Sequence, residues 1–169
     1  MAKEQFEKAL ITLTWEDTPS VVGVIAQWFG IPMAFFEDYR ILRANPKTLN
    51  IVNADTSPEQ RPEPQSIGMP FLHTDMAVPK LTQPASLWLG PLCTRNIVNL
   101  DRARAAAYLA RATVALEPAD LVECDGTGYV MVRCEGLSLG LAFRHRNAVM
   151  DLVSMVPKAW ALNADVDPF

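Results

Sequence analysis

The chain has 169 residues, of which 50% are hydrophobic and 20% are charged. This length suits one ordinary domain or two small ones, and the composition excludes an intrinsically disordered chain. The formal net charge of -4 at pH 7 excludes the broadly basic surface of most stand-alone RNA-binding proteins, unless positive charge is clustered in one place.

The chain contains three cysteines and two histidines, and no Cys-x-x-Cys pair occurs. This argues against a structural zinc site, so we expect reduced thiols, no metal and no cofactor. The N-terminus has no secretory signal pattern, and the apolar runs are too short to cross a bilayer. We therefore expect a cytoplasmic protein without a membrane partner.

The N-terminal half predicts helices followed by a β-hairpin. A short helix is expected over residues 3–12, and a second helix begins near Asp17 and ends at Gly30. The further expected elements are a helical turn over 31–36, a strand over 39–43, a turn over 45–47, a strand over 49–52, an exposed loop over 53–66 and a strand over 69–73.

The C-terminal half predicts short strands around one alanine-rich helix. Asp101 is a suitable N-cap for a helix over residues 102–111. The other elements expected before residue 126 are a helix over 84–89 ended by Gly90-Pro91, and strands over 97–100, 114–116 and 121–123.

A β-hairpin is expected between Gly126 and Phe143. Its first arm alternates β-branched and aromatic residues, and Glu135-Gly136 is typical of a two-residue turn. Leucines at every second position of the other arm predict one leucine face, and Gly140 predicts a bulge or a close backbone approach. A basic loop over 144–147, a strand over 149–153 and a tail with Pro157-Lys158 follow.

The hairpin sequence also carries a resemblance. Residues 128–140 read Gly-Tyr-Val-Met-Val-Arg-Cys-Glu-Gly-Leu-Ser-Leu-Gly, and a Pro-Lys pair follows at 157–158. This segment resembles the last hairpin of the C-terminal PUA-like RNA-binding region of Sun-type rRNA cytosine-5 methyltransferases. Other matching positions are Phe29-Gly30-Ile31-Pro32, Tyr39-Arg40, Val98, Leu100, Tyr108, Leu109 and Arg111. The chain is also similar to two-part pre-PUA/PUA ribosome-biogenesis factors.

The resemblance implies an α+β fold in two parts. It implies a small helix-hairpin α/β domain of pre-PUA type over residues 1–83, and a PUA-like β-pseudobarrel with a flanking helix over residues 84–162. We expect residues 163–169 to form a C-terminal tail. The catalytic domain of the methyltransferases has no counterpart here, because the chain lacks a glycine-rich nucleotide-binding turn after a strand and a second Pro-Cys-type motif.

One pattern suggests a hydrolase. Gly136-Leu-Ser138-Leu-Gly140 satisfies Gly-x-Ser-x-Gly, the nucleophile elbow of α/β-hydrolases. The elbow requires a turn from strand to helix, whereas Ser138 lies within an alternating strand pattern. No acidic residue lies between Ser138 and His145, the only histidine after it. We therefore predict that the chain is not an enzyme.

The functional expectation is a module that binds structured rRNA or tRNA in ribosome biogenesis or RNA modification, with no DNA partner. The alternative is a protein-interaction or assembly factor on a PUA-like fold that has lost its RNA surface, whose partner could be a separate methyltransferase or a ribosome-assembly protein. The arginines of the alanine-rich helix suit a solvated helix face as well as an RNA contact. The candidate RNA contacts are Arg95, Arg102, Arg104, Arg111, Arg133, Arg144, Arg146 and Lys158.

Overall fold

A computed structural model describes residues 17–56, 67–76, 80–145, 150–163, 166 and 168. The described residues form a mixed α+β structure with three α-helices and two sheets, one of which curls into a half-barrel. The chain divides into an N-terminal unit, Met1–Gln27 with Ile31–Ala85, and a C-terminal unit, Trp28–Gly30 with Ser86–Phe169. The helix expected over residues 3–12 and most of the loop expected over 53–66 lie outside the described residues.

The N-terminal unit contains most of helix α1 and a four-stranded antiparallel sheet. Helix α1 spans Asp17–Phe29 and ends at Gly30 as predicted, because Gly30 takes a φ of +65°. The sheet has the order β1-β2-β3-β4, and its strands are β1 (Tyr39–Asn45), β2 (Thr48–Asn53), β3 (Met69–His73) and β4 (Lys80–Leu81). A 3₁₀ turn, Met33–Phe36, precedes β1, so the predicted turn and hairpin are confirmed.

Gly23 lies in the middle of α1, where a Cβ atom would meet no other atom within 4 Å. Alanine loses less backbone entropy than glycine in a helix, so Gly23→Ala is expected to raise the free energy of unfolding by about 0.5–1 kcal/mol. Urea unfolding followed by circular dichroism measures this change. Gly68→Ala is the opposite control, since Gly68 has a φ of +76° and its Cβ would overlap Val52. A Gly23 variant less stable than the wild type would contradict the prediction.

The C-terminal unit is built on a five-stranded sheet with the order β5-β7-β8-β9-β6. Only β5 and β7 are parallel among its pairs. The strands are β5 (Ile97–Asn99), β6 (Val114–Ala115), β7 (Gly128–Cys134), β8 (Leu137–Arg144) and β9 (Asp151–Ser154). The helices are α2 (Gln83–Leu89), which begins in the N-terminal unit, α3 (Arg102–Leu109), and 3₁₀ turns at Gly90–Leu92, Pro118–Leu121 and Lys158–Trp160.

The core of the C-terminal unit includes residues of α3 and of all five sheet strands. Tyr108 of α3 is fully buried together with Val130, Val132 and Leu152. The Tyr108 hydroxyl donates to the backbone oxygen of Leu141 at 2.7 Å, and burial raises the pKa of this tyrosine well above its ordinary value. Helix α3 is therefore attached to β8 by one buried hydrogen bond as well as by apolar packing.

The predicted hairpin is confirmed as β7 and β8. Its turn residues Glu135 and Gly136 have φ values of +49° and +81°, as a type I′ turn requires. Leu139 is an extra residue opposite the Val132–Arg133 step, which makes it the predicted bulge next to Gly140. The bulge breaks the alternation, so Leu141 is buried whereas Leu137 is 62% exposed, and the predicted single leucine face is wrong.

The strand expected over 121–123 is also wrong. Pro118 begins a 3₁₀ turn that ends at Leu121, and a capping box between Glu117 and Asp120 closes this turn. The segment that follows covers the free edge of β5, where the backbone oxygen of Glu123 accepts from the Asn96 backbone N–H at 2.6 Å. The capping box at Glu117 and Asp120 therefore explains why a 3₁₀ turn ends at Leu121, where the apolar residues predict a strand.

Candidate nucleic-acid interface

Asn96 fixes the chain at the start of β5, next to Arg95. It is 1% exposed and has a φ of +53°, a conformation that asparagine tolerates better than most residues. Its side-chain Nδ2 donates to the Trp28 backbone oxygen at 2.7 Å, and its Oδ1 accepts from the Asp125 backbone N–H at 2.9 Å. Sequence reasoning does not single out this residue, because an asparagine before a strand is also typical of an ordinary exposed loop.

Residues Trp28–Gly30 complete the C-terminal unit. The indole N–H of Trp28 donates to the Tyr129 backbone oxygen at 2.8 Å. The backbone oxygen of Phe29, a residue that is 2% exposed, accepts from the backbone N–H groups of Thr94 and Arg95 at 2.9 and 3.1 Å. The sequence-based expectation places the domain boundary after residue 83. That boundary would assign Trp28–Gly30 to the N-terminal domain, although these three residues pack in the C-terminal unit.

Two exposed ion pairs lie at opposite ends of the β5–β7 pair. Before these strands, Arg95 donates to Asp125 Oδ2 through Nε at 2.8 Å and through Nη2 at 2.6 Å. After them, Arg102 donates to Glu135 through Nε–Oε1 at 2.8 Å and Nη2–Oε2 at 2.9 Å. The Arg102 and Glu135 side chains are 61% and 56% exposed. The hydrogen bonds from Arg102 lower the pKa of Glu135 below its ordinary value.

Arg104 lies in a more enclosed ion-pair cluster. Its guanidinium contacts Asp101 Oδ2 at 2.6 Å and Asp120 Oδ2 at 2.5 Å, and its side chain is 28% exposed. Asp101 is the N-cap of α3 as predicted, because it accepts from the Arg104 backbone N–H at 2.9 Å. This hydrogen bond is the main cause that lowers the pKa of Asp101. Arg104 therefore joins the start of α3 to the 3₁₀ turn at Pro118–Leu121.

Three further arginines donate to backbone carbonyl oxygens. Arg111 bonds to Val156, Arg144 bonds to Gly126 at 2.7 Å, and Arg133 bonds to Gly90 and, at 2.8 Å, to Cys93. Arg111 has a φ of +64°, which is why α3 ends at Leu109 rather than at the predicted residue 111. These contacts hold loops and helix ends in place and leave less of each guanidinium for a ligand.

Arg133 also bears on the chemistry of a nearby thiol. It donates to the backbone oxygens of Gly90, the first residue of the 3₁₀ turn Gly90–Leu92, and of Cys93, which follows that turn. Burial raises the pKa of Cys93 to about 12, although the positive charge of Arg133 acts in the opposite direction. Cys93 is therefore a neutral, unreactive thiol at physiological pH.

Lys158 and Arg146 are the two remaining candidates. Lys158 is exposed at the start of the last 3₁₀ turn, and its ammonium makes no ion pair or hydrogen bond within the described part of the chain. Arg146 lies outside the described residues. The structure thus places Arg95, Arg102, Arg111 and Lys158 at the surface, although Arg111 also donates to the Val156 backbone oxygen. The candidates Arg104, Arg133 and Arg144 are partly buried and bond to other parts of the chain.

Ser138 is not positioned as a nucleophile. It lies within β8, where its hydroxyl donates to the Ser86 backbone oxygen at 3.3 Å and contacts Met131 Sδ at 3.4 Å. The strand-to-helix turn of a nucleophile elbow is absent at this position, as predicted. The hydroxyl faces Gly90, where a Cβ atom would overlap the Ser138 side chain.

Comparison with known proteins adds no assignment, because no protein-family model and no curated protein matches this chain. None of the α-helices in the described ranges is long and apolar enough to cross a lipid bilayer. Among the described residues there is also no group of three or more His, Cys, Asp and Glu side chains that could hold a metal ion.

Proposed function

We propose that the C-terminal unit binds structured RNA, such as rRNA or tRNA, in ribosome biogenesis or RNA modification, without catalysis of its own. We further propose that its sheet and helix α3 correspond to a PUA-like pseudobarrel with a flanking helix. The observation that carries the proposal is the pair of exposed guanidinium groups, Arg95 and Arg102, each paired with a carboxylate at one of the two ends of β5. Lys158 adds a third exposed positive charge.

The chemistry of these pairs supports phosphate binding. A guanidinium donates two parallel hydrogen bonds to a carboxylate or to a phosphate in similar geometry. Ion pairs exposed to water contribute little to stability, so exchanging a carboxylate for a phosphate costs little. Phosphate contacts of this kind supply most of the sequence-independent affinity for RNA.

The charge distribution supports the same unit. The N-terminal unit contains seven basic and ten acidic residues, whereas the C-terminal unit contains eight basic and nine acidic residues. Most of the acidic excess therefore belongs to the N-terminal unit. The net charge of -4 consequently does not describe the surface on which Arg95 and Arg102 lie.

The salt dependence of RNA binding tests this proposal. With phosphate contacts from Arg95, Arg102 and Lys158, the logarithm of the affinity is expected to fall with the logarithm of salt concentration with a slope of about -2 to -3. Arg102→Ala is expected to reduce the magnitude of this slope by about 0.7–0.9. Fluorescence anisotropy of the full chain with labelled unfractionated tRNA and with fragmented rRNA measures both slopes.

A charge-matched control lies in the N-terminal unit. Lys47 pairs with Asp75 at 3.8 Å and its side chain is 72% exposed, so Lys47→Ala removes one exposed positive charge from the unit that holds none of the proposed contacts. Its slope is expected to equal that of the wild type. Absence of binding at low salt, or an equal loss in the Lys47 and Arg102 variants, would refute the proposed function.

A protein-interaction or assembly role is the second candidate. It is favoured by large apolar side chains at the surface of the C-terminal unit, since Val122, Leu137 and Trp160 are 84%, 62% and 51% exposed. It is also favoured by the internal contacts of Arg104, Arg111, Arg133 and Arg144. If neither tRNA nor rRNA binds at low salt and a methyltransferase or ribosome-assembly protein co-purifies with the chain, this role replaces RNA binding.

A further inference from the structure

We propose that Glu135 occupies, in the free protein, the position that an RNA phosphodiester takes on Arg102, so that the hairpin turn competes with RNA for this arginine. The inference rests on the proposed RNA-binding function and adds a regulatory contact to it. The hairpin turn would then weaken RNA binding at this arginine until a phosphate displaces the carboxylate.

The contact geometry is the first support. Both carboxylate oxygens of Glu135 accept from Arg102, at 2.8 and 2.9 Å, which is the two-pronged arrangement that guanidinium groups also make with phosphate. Both side chains are more than half exposed, so a ligand can approach from solvent. In the Arg95 pair, by comparison, the Nε and Nη2 contacts at 2.8 and 2.6 Å both reach Oδ2 of Asp125.

The backbone of the turn is the second support. Glu135 has a φ of +49°, and type I′ turns favour asparagine, aspartate or glycine at this position. The geometry of the turn therefore does not favour glutamate at position 135. A glutamate in the left-handed region also carries a steric cost. Its side chain does have a defined role, since its longer stem places both oxygens on Arg102.

The experiment compares RNA affinities of full-length variants with labelled unfractionated tRNA as the probe. Glu135→Gln keeps the side-chain length and removes the charge, and it is expected to tighten binding by about two- to fivefold, the factor that corresponds to breaking an exposed ion pair. Glu135→Asn provides a second variant that places Asn-Gly in the turn and preserves the hairpin. It is expected to tighten binding to a similar extent.

Two controls separate displacement at Arg102 from a general effect of charge. Asp75→Asn removes one carboxylate from the exposed Lys47–Asp75 pair in the N-terminal unit, and it is expected to change the affinity less. Glu135→Gln combined with Arg102→Ala is expected to bind no more tightly than Arg102→Ala alone.

The outcomes distinguish the two proposals. A gain for the Glu135 variants that exceeds the Asp75 control and disappears without Arg102 supports the inference. A gain no larger than that of Asp75→Asn, or one that persists without Arg102, overturns the inference and leaves RNA binding intact. If neither the wild type nor any variant binds RNA at low salt, the proposed function fails and the inference fails with it.

Discussion

Asn96→Ala is expected to lower the free energy of unfolding of the C-terminal unit by about 3 kcal/mol or more. The substitution leaves the Trp28 backbone oxygen and the Asp125 backbone N–H without the partners that the Asn96 side chain provides at 2.7 and 2.9 Å. It also places alanine at a φ of +53°, where a Cβ atom is strained. Urea unfolding followed by circular dichroism measures the loss.

Two variants separate the causes of this effect. Asn96→Gly loses the same hydrogen bonds without the Cβ strain, so it is expected to be more stable than Asn96→Ala by about 1 kcal/mol. Asn99→Ala is the matched control, because Asn99 is exposed and its side chain makes one long contact, at 3.5 Å, with Glu123. That control is expected to change stability by less than about 0.5 kcal/mol. Equal losses for the alanine variants of Asn96 and Asn99 would contradict the role assigned to Asn96.

Gly90→Ala is expected to have the next largest effect, a loss of about 2–4 kcal/mol. A Cβ atom at residue 90 would overlap the Oγ and Cβ atoms of Ser138 and would lie 3.3 Å from Met131 Sδ. Relief of this overlap would displace the Gly90 carbonyl oxygen, which accepts a hydrogen bond from Arg133. Thermal and urea unfolding of the full chain measure the loss.

A compensating substitution tests this explanation directly. Ser138→Gly removes the side chain that the new Cβ would meet, so the double variant with Gly90→Ala is expected to recover about 1–3 kcal/mol relative to the sum of the single effects. Gly136→Ala is the control for a glycine with open surroundings, since no atom lies within 4 Å of its Cβ position and only its φ of +81° carries a cost. Additive effects of the changes at 90 and 138 would show that the close approach is not the cause.

Some parts of the fold are predictable because their signals are local. Helix α1 ends at Gly30, Asp101 caps α3, and the hairpin turns at Glu135-Gly136. In each case the residues that provide the signal lie within a few positions of the structure that they specify. A glycine with positive φ, a capping carboxylate and a two-residue turn need no distant partner to act.

The sequence indicates which arginines are candidates for the site, but it does not indicate their contacts. The sequence shows that arginines are concentrated between Arg95 and Arg146, and the resemblance to PUA-like regions makes them candidate RNA contacts. It does not show that Arg104 contacts Asp120, that Arg133 donates to Gly90, or that Arg102 is held by Glu135. The PUA-like identity of the sheet and the RNA-binding role stay predictions.

By itself, the sequence determined the composition, the element boundaries that turn and cap residues mark, and the absence of a nucleophile elbow at Ser138. Only the tertiary structure decided that β5 lies parallel to β7 and that Trp28–Gly30 belongs with the C-terminal unit. It also decided which arginines bond to carboxylates or backbone oxygens elsewhere in the chain. The physical reason is distance along the chain. The bond from Trp28 to Tyr129 spans 101 positions and the bond from Asn96 to Trp28 spans 68. Periodicity and capping rules act over a few residues, so they contain no information about such partners.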